Sequence, residues 1–357
     1  MKLRLHTLAI AGLVSIAAAL APAARAETIK ITFSAAHGPQ LPYIGAIKNF
    51  YIPEVDKRLK EAGGKHNIVW NEAFGGTLAK VGGELDAVES GVAEMGFVYT
   101  IFEAAKLPLE AVCFMAPFGS DDPRVVSKIM YEMNTEMPEL ASQWTKHNQI
   151  FLAALSTDTD YMLSTFPING IADLKGRKVG ASGSLSLWVN GIGGVPVQGD
   201  FATHFNNLKT GVYDAMIAFS TGMYPNKLHQ VAPYAVRIDL GSMMIGALSI
   251  NKPFYDKLPP DVQKIIKDVG KAYNDKIAAD LHNLAGVFEK KMTDEGAKFT
   301  RLSPEERRKW ANTMPNIAKN WVETNDKKGL PADKVLNTYM KKLRDNNVQL
   351  VRDWDKN

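Results

Sequence analysis

The chain has 357 residues, with charged and apolar fractions of 22% and 46%, which exclude a disordered chain and give enough length for two α/β lobes. Removing Lys2, Arg4 and Arg25 at the N-terminus lowers the basic count from 42 to 39 against 38 acids, so the net charge of +4 falls to +1 and no clustered basic face for nucleic acid remains. Cys113 is the only cysteine, so an internal disulfide and every Cys-pair metal motif are excluded.

Residues 1–26 divide into a basic start, an apolar run over 8–20, and Ala24-Arg25-Ala26 before Glu27. This pattern predicts a secretory leader with a small-x-small cleavage site, and hence a periplasmic location. No later apolar run reaches about eighteen residues, so the mature chain is expected to be soluble.

Alternation in Thr28-Ile29-Lys30-Ile31-Thr32-Phe33-Ser34 predicts an opening strand, followed by a loop that carries His37 and a helix over 43–61. Asn67-Ile68-Val69-Trp70 predicts a second strand, and 93–99 a third. Between them Leu78, Val81, Leu85 and Val88 share one face of a predicted helix over 78–90, closed by Gly91. Such β-α-β-α-β order implies a largely parallel sheet with ligands beyond the carboxyl ends of its strands. Phe74, Tyr99 and Thr100, with His37 in the first loop, are therefore candidate pocket residues.

Cys113 lies within Ala111-Val112-Cys113-Phe114-Met115 and reads as a buried structural thiol. The apolar stretch 149–155 predicts a strand crossing into a second lobe, and 246–251 a strand returning from it. Val262, Ile265, Ile266, Val269, Tyr273, Ile277 and Leu281 predict a long amphipathic helix over 260–293 that braces both lobes. The tail over 303–357 reads as helical, broken at Gly329-Leu330-Pro331. The expected fold class is α/β with two hinge-linked lobes. Lobe I would comprise 27–152 and 242–290, and lobe II with the C-terminal helices 153–241 and 291–357.

Several short motifs recur in a specific order. They are Phe74-Gly75-Gly76-Thr77-Leu78, Gly91-Val92-Ala93-Glu94-Met95 and Ala116-Pro117-Phe118, then Leu174-Lys175-Gly176-Arg177-Lys178-Val179-Gly180. Gly194-Val195-Pro196-Val197, Gly211-Val212-Tyr213-Asp214-Ala215 and Asn251-Lys252-Pro253-Phe254-Tyr255 follow. The order resembles the solute receptors of tripartite ATP-independent periplasmic (TRAP) transporters, the DctP-type family. The resemblance implies a two-lobed periplasmic binding protein fold that closes on a small solute and delivers it to the membrane subunits of a permease. It implies no cofactor and no metal, and a monomer is expected.

In that family a basic side chain two residues past the Lys-Gly-x-Lys core grips a substrate carboxylate; here the position is Gly180. Ala215 and Ala218 also depart from the pattern, and Asp160 falls where some relatives place a second arginine. A desolvated carboxylate needs a strong donor such as Arg, whereas two acids on one wall favour a cation. Asp158 and Asp160, if on a strand, share a face. The expectation is therefore a small amine or ammonium ligand, countered by Asp158 or Asp160 and walled by Trp188, Tyr99, Phe74 or Phe219. The alternatives are an organic or aromatic carboxylate ligand and, in a different class, a periplasmic enzyme. No histidine of the chain stands in a paired metal spacing or beside a nucleophile motif.

Overall fold

The structure is a computed structural model that describes residues 26–356. The expected leader, apart from Ala26, lies outside the described residues. Eleven strands form two sheets. The first contains β1 (Glu27–Ser34), β2 (His66–Ala73), β3 (Met95–Val98), β4 (Gln149–Ser156) and β10 (Met244–Asn251), in the order β2-β1-β3-β10-β4. The second contains β5 (Asp160–Ser164), β6 (Lys178–Gly180), β7 (Val195–Val197), β8 (Ala215–Phe219), β9 (Tyr234–Arg237) and β11 (Lys298–Arg301), in the order β11-β9-β5-β8-β6-β7.

The period-two pattern of β1 buries Ile29, Ile31 and Phe33 and pairs the strand parallel to β2 and β3. β10 enters antiparallel between β3 and β4, which makes the sheet mixed. In the second sheet β6 runs parallel to β7 and β8, and β5 runs antiparallel to β8 and β9.

The chain crosses from the first sheet to the second over 157–159 and returns over 238–243. These connections lie side by side: Thr157 N–H donates to Met243 O at 2.9 Å, and Ser242 Oγ donates to Thr157 O at 2.5 Å. Thr159 Oγ1 donates to Asp121 and Asp239 at 3.0 and 3.1 Å.

The long helix runs Pro260–Asp294, 35 residues, or roughly 50 Å at ~1.5 Å per residue. Val262, Ile266, Val269, Tyr273, Ile277 and Leu281 are its buried stripe. Near its middle Asn274 accepts from Ala154 N–H of β4 at 2.9 Å, and Gly270 lies so close that an added Cβ would sit 2.7 Å from Leu152 O. Towards its C-terminal end Glu289 accepts from the Tyr161 hydroxyl of β5 at 2.8 Å. The helix thus touches both sheets.

The helix predicted over 78–90 is confined to Glu84–Glu89. Gly82 has φ +81, in the left-handed region, and its N–H donates to Glu84 Oε2, so the chain turns before the helix starts; Leu78 is left 40% exposed. The tail forms helices Pro304–Thr313, Ile317–Asp326 and Ala332–Asp345. The last packs on the helices Pro123–Glu136 and Val112–Met115, and Trp354 Nε1 donates to Pro117 O at 2.7 Å. The tail therefore wraps over the first lobe.

Candidate functional site

Parallel strands of both sheets aim their carboxyl ends at one cleft. His37 follows β1, Tyr99 and Ile101 follow β3, Ser182 follows β6, and Asp200 and Phe201 follow β7. The antiparallel strands β5 and β10 present their opposite ends to the same place, with Asp160 and Ile245. The side chains line a small, partly open cavity between the lobes, with about 40 Å³ of room for water-sized groups.

The wall is mainly aromatic and aliphatic. Tyr43, Tyr99, Phe102 and Phe114 come from the first lobe, and Phe201 and Phe219 from the second. Phe201 and Phe219 meet edge-to-face at 5.2 Å. None of the described residues lining the cavity is Lys or Arg.

Besides the lining Thr157, Ser182 and Asp200, three groups supply its polar chemistry. His37 Nδ1 lies 2.6 Å from the Tyr99 hydroxyl, and its buried Nε2 has no partner. His204, on the helix His204–Lys209, has Nδ1 2.5 Å from the Tyr213 hydroxyl. Burial lowers the pKa of both rings; Asp200 opposes this, and His204 is lowered to about 4, so neutral imidazoles face the cavity near pH 7. Asp160 is buried, and its Oδ2 has no partner. Burial, then the carboxylates of Asp158, Asp121 and Asp239, push its pKa well above the usual range and favour the protonated form.

Of the residues expected from the sequence, the structure brings His37, Tyr99, Asp160 and Phe219 to the cavity. Asp158 lies outside the lining because β5 starts only at Asp160. Its carboxylate turns to the start of the helix Ser220–Met223 and accepts from Ser220 N–H at 2.9 Å, Ser220 Oγ at 2.5 Å, Thr221 N–H at 3.3 Å and the Thr221 hydroxyl. The shared acidic wall is thereby corrected.

Trp188 is fully buried behind the cavity, donating from Nε1 to Phe114 O at 2.9 Å. Phe74 packs on Phe33, ring centroids 5.9 Å apart, and Thr100 spends its hydroxyl on Met244 O at 3.3 Å. His204, Phe201 and Phe114 were missed. The one signal for the first two was position: they follow the Gly194-Val195-Pro196-Val197 motif in the second lobe, as His37 follows the opening strand in the first.

Gly180 explains why a basic side chain is absent. A Cβ there would lie 2.8 Å from Tyr213 Cε2 and Cζ and 3.1 Å from Met216 Cβ. The tyrosine ring occupies the space into which a residue 180 side chain would grow.

Two mixed α/β lobes joined by paired crossings around a partly open, ring-lined cavity define a fold of the two-lobed solute-binding kind. Residues 54–325 match the family model for bacterial extracellular solute-binding protein family 7, DctP. The chain belongs to that family, and the TRAP-receptor resemblance read from its motifs holds.

Among similar solved structures is a TRAP solute-binding protein of Rhodoferax ferrireducens T118 in complex with copurified benzoate, 18% identical, with TM-score 0.78 over 89% of this chain and 98% of that one. A marine metagenome TRAP protein from an unidentified microbe, specific for aromatic acid ligands and holding 3-hydroxybenzoate, matches at 18% identity and TM-score 0.78 over 90% and 99%. An extracytoplasmic receptor of Bordetella pertussis binding pyroglutamic acid matches at 16% identity and TM-score 0.77 over 89% and 100%. These likenesses show the shared fold. No helix of the described residues is long and apolar enough to cross a membrane.

Proposed function

We propose that this protein is a periplasmic receptor that closes around a small aromatic carboxylic acid and hands it to the membrane subunits of a TRAP permease. The observation that carries the reading is the cavity wall, where rings from both lobes line one space and His37 and His204 supply neutral hydrogen-bonding groups beside the carboxyl groups of Asp160 and Asp200. Benzoate and 3-hydroxybenzoate in two proteins of the same fold support it. A flat ring fills such a wall with little loss of internal freedom, and its carboxyl end needs only a few donors.

The amine or ammonium ligand retains one observation in its favour: the unpartnered Asp160 Oδ2 in a cavity without a lining Lys or Arg. The two readings separate in a thermal-unfolding screen. A ligand bound only by the native state adds RT ln(1 + [L]/Kd), about 2.7 kcal/mol at a hundredfold excess over Kd. Benzoate and 3-hydroxybenzoate are expected to raise the melting temperature, with ethanolamine and choline inert. Stabilisation by the amines alone overturns the acid reading. Recovery of the acid chemically unchanged after prolonged incubation distinguishes a receptor from an enzyme.

A further inference from the structure

We infer that two tyrosine-anchored imidazoles, His37 of the first lobe and His204 of the second, read the polar group of the ligand in place of a guanidinium. The inference deepens the aromatic-acid reading and rests on it. Its starting point is steric. Because Tyr213 fills the space beside Gly180, with ring atoms 2.8 Å from where a Cβ would stand, a long basic side chain cannot enter from that position without moving the tyrosine. The same tyrosine reaches His204 Nδ1 at 2.5 Å.

Asn207 Nδ2 donates to the Tyr213 hydroxyl oxygen at 3.4 Å, an arrangement in which the hydroxyl hydrogen is available to point at His204 Nδ1, and we assign it there. Nδ1 then accepts, and the single proton of the neutral ring resides on Nε2. His204 Nε2–H is the remaining donor of a ring that lines the cavity.

The first lobe repeats the arrangement. His37 Nδ1 is tied to the Tyr99 hydroxyl at 2.6 Å, and Nε2 is buried with no partner. With the ring's proton on Nε2, a ligand oxygen would satisfy this unmet buried atom. The Phe201 ring stands between the two imidazoles, its centroid 6.3 Å from His37 and 5.5 Å from His204, edge-to-face with both. Each lobe thus brings one imidazole to the same ring, and both can engage one ligand only when the lobes are together.

Neutral donors also change selectivity. A charge-assisted bond to carboxylate is roughly twice as strong as a neutral one, so an arginine site rejects an uncharged isostere more sharply than an imidazole pair does. The expected consequence is that benzamide binds within about tenfold of benzoate.

The test uses the wild-type chain, His37→Phe and His204→Phe, titrated calorimetrically with benzoate and benzamide, together with ¹⁵N-histidine NMR of the wild type. The expected result is an Nε2–H tautomer for His204, Nε2 resonances of both rings displaced by benzoate, and a loss of about tenfold or more in benzoate affinity in each variant. Wild-type binding that survives both substitutions within about twofold, or Nε2 resonances unmoved at saturation, overturns the imidazole pair alone. Absence of any benzoate binding to the wild type contradicts the aromatic-acid reading, and the pair falls with it. If a variant fails to fold, the wild-type resonances decide the matter.

Discussion

Asp158 and Asp160 stand two residues apart, both buried, in opposite situations. Asp158 accepts from both the N–H and the hydroxyl of Ser220 and of Thr221, so Asp158→Ala strands buried donors and is expected to cost about 3 kcal/mol in urea unfolding. Asp160 has an unmet oxygen, and burial together with its acidic neighbours raises its pKa. For an acid with a raised folded pKa, stability is complete below the unfolded value near 3.8 and is lost as pH rises through the folded one. Asp160→Asn should therefore raise the melting temperature at pH 7 and leave it nearly unchanged near pH 4; a fall at pH 7 contradicts the assignment. The sequence showed the acids but not their division, because β5 starts only at Asp160 and leaves Asp158 in the crossing, off the shared face. Aromatic identity was equally insufficient: Trp188 and Phe74 read as pocket rings until packing placed them behind it.

At the scale of elements, the helix Glu84–Glu89 begins with an acid that caps its own approach. Glu84 Oε2 accepts from Gly82 N–H, Oε1 has no side-chain partner, and burial raises the pKa to about 8. Glu84 thus holds its proton in the folded state over a range where the unfolded chain, near 4.5, has lost it. Its contribution is present below pH 4.5 and disappears as pH rises through about 8. Glu84→Gln is expected to flatten thermal stability between pH 5 and 8, and an unaltered pH profile would count against this. The long helix gives a second test. Alanine is favoured over glycine in a helix by about 1 kcal/mol, but at Gly270 the new Cβ would lie 2.7 Å from Leu152 O. Overpacking of this kind costs about 1–3 kcal/mol, so Gly270→Ala should destabilise. The helix itself was legible because its apolar spacing runs unbroken, whereas the short helix near Gly82 was overread because an apolar stripe does not reveal a left-handed turn.

For the whole molecule, the long helix and two short crossings join the lobes, and the short crossings lie side by side. They are paired to one another through Thr157, Met243 and Ser242. Within the returning crossing, Asp239 is gripped by Arg237 and Arg301, while Arg307 Nε donates to Asp239 O. The division of cavity-lining groups between the lobes fits the closure of one lobe on the other that the proposed function requires. Motif order carried the fold and family because many weak local patterns had to agree. The ligand class was harder to read, since an empty arginine position says what is missing and nothing of what stands there. In this chain Tyr213 and His204 stand there, in a wall of rings.

The most direct test is calorimetric titration of the wild-type protein at pH 7 with 3-hydroxybenzoate and, separately, with ethanolamine. The account predicts saturable one-to-one binding of the aromatic acid and no measurable heat of binding from the amine. Binding of ethanolamine with 3-hydroxybenzoate inert would contradict it.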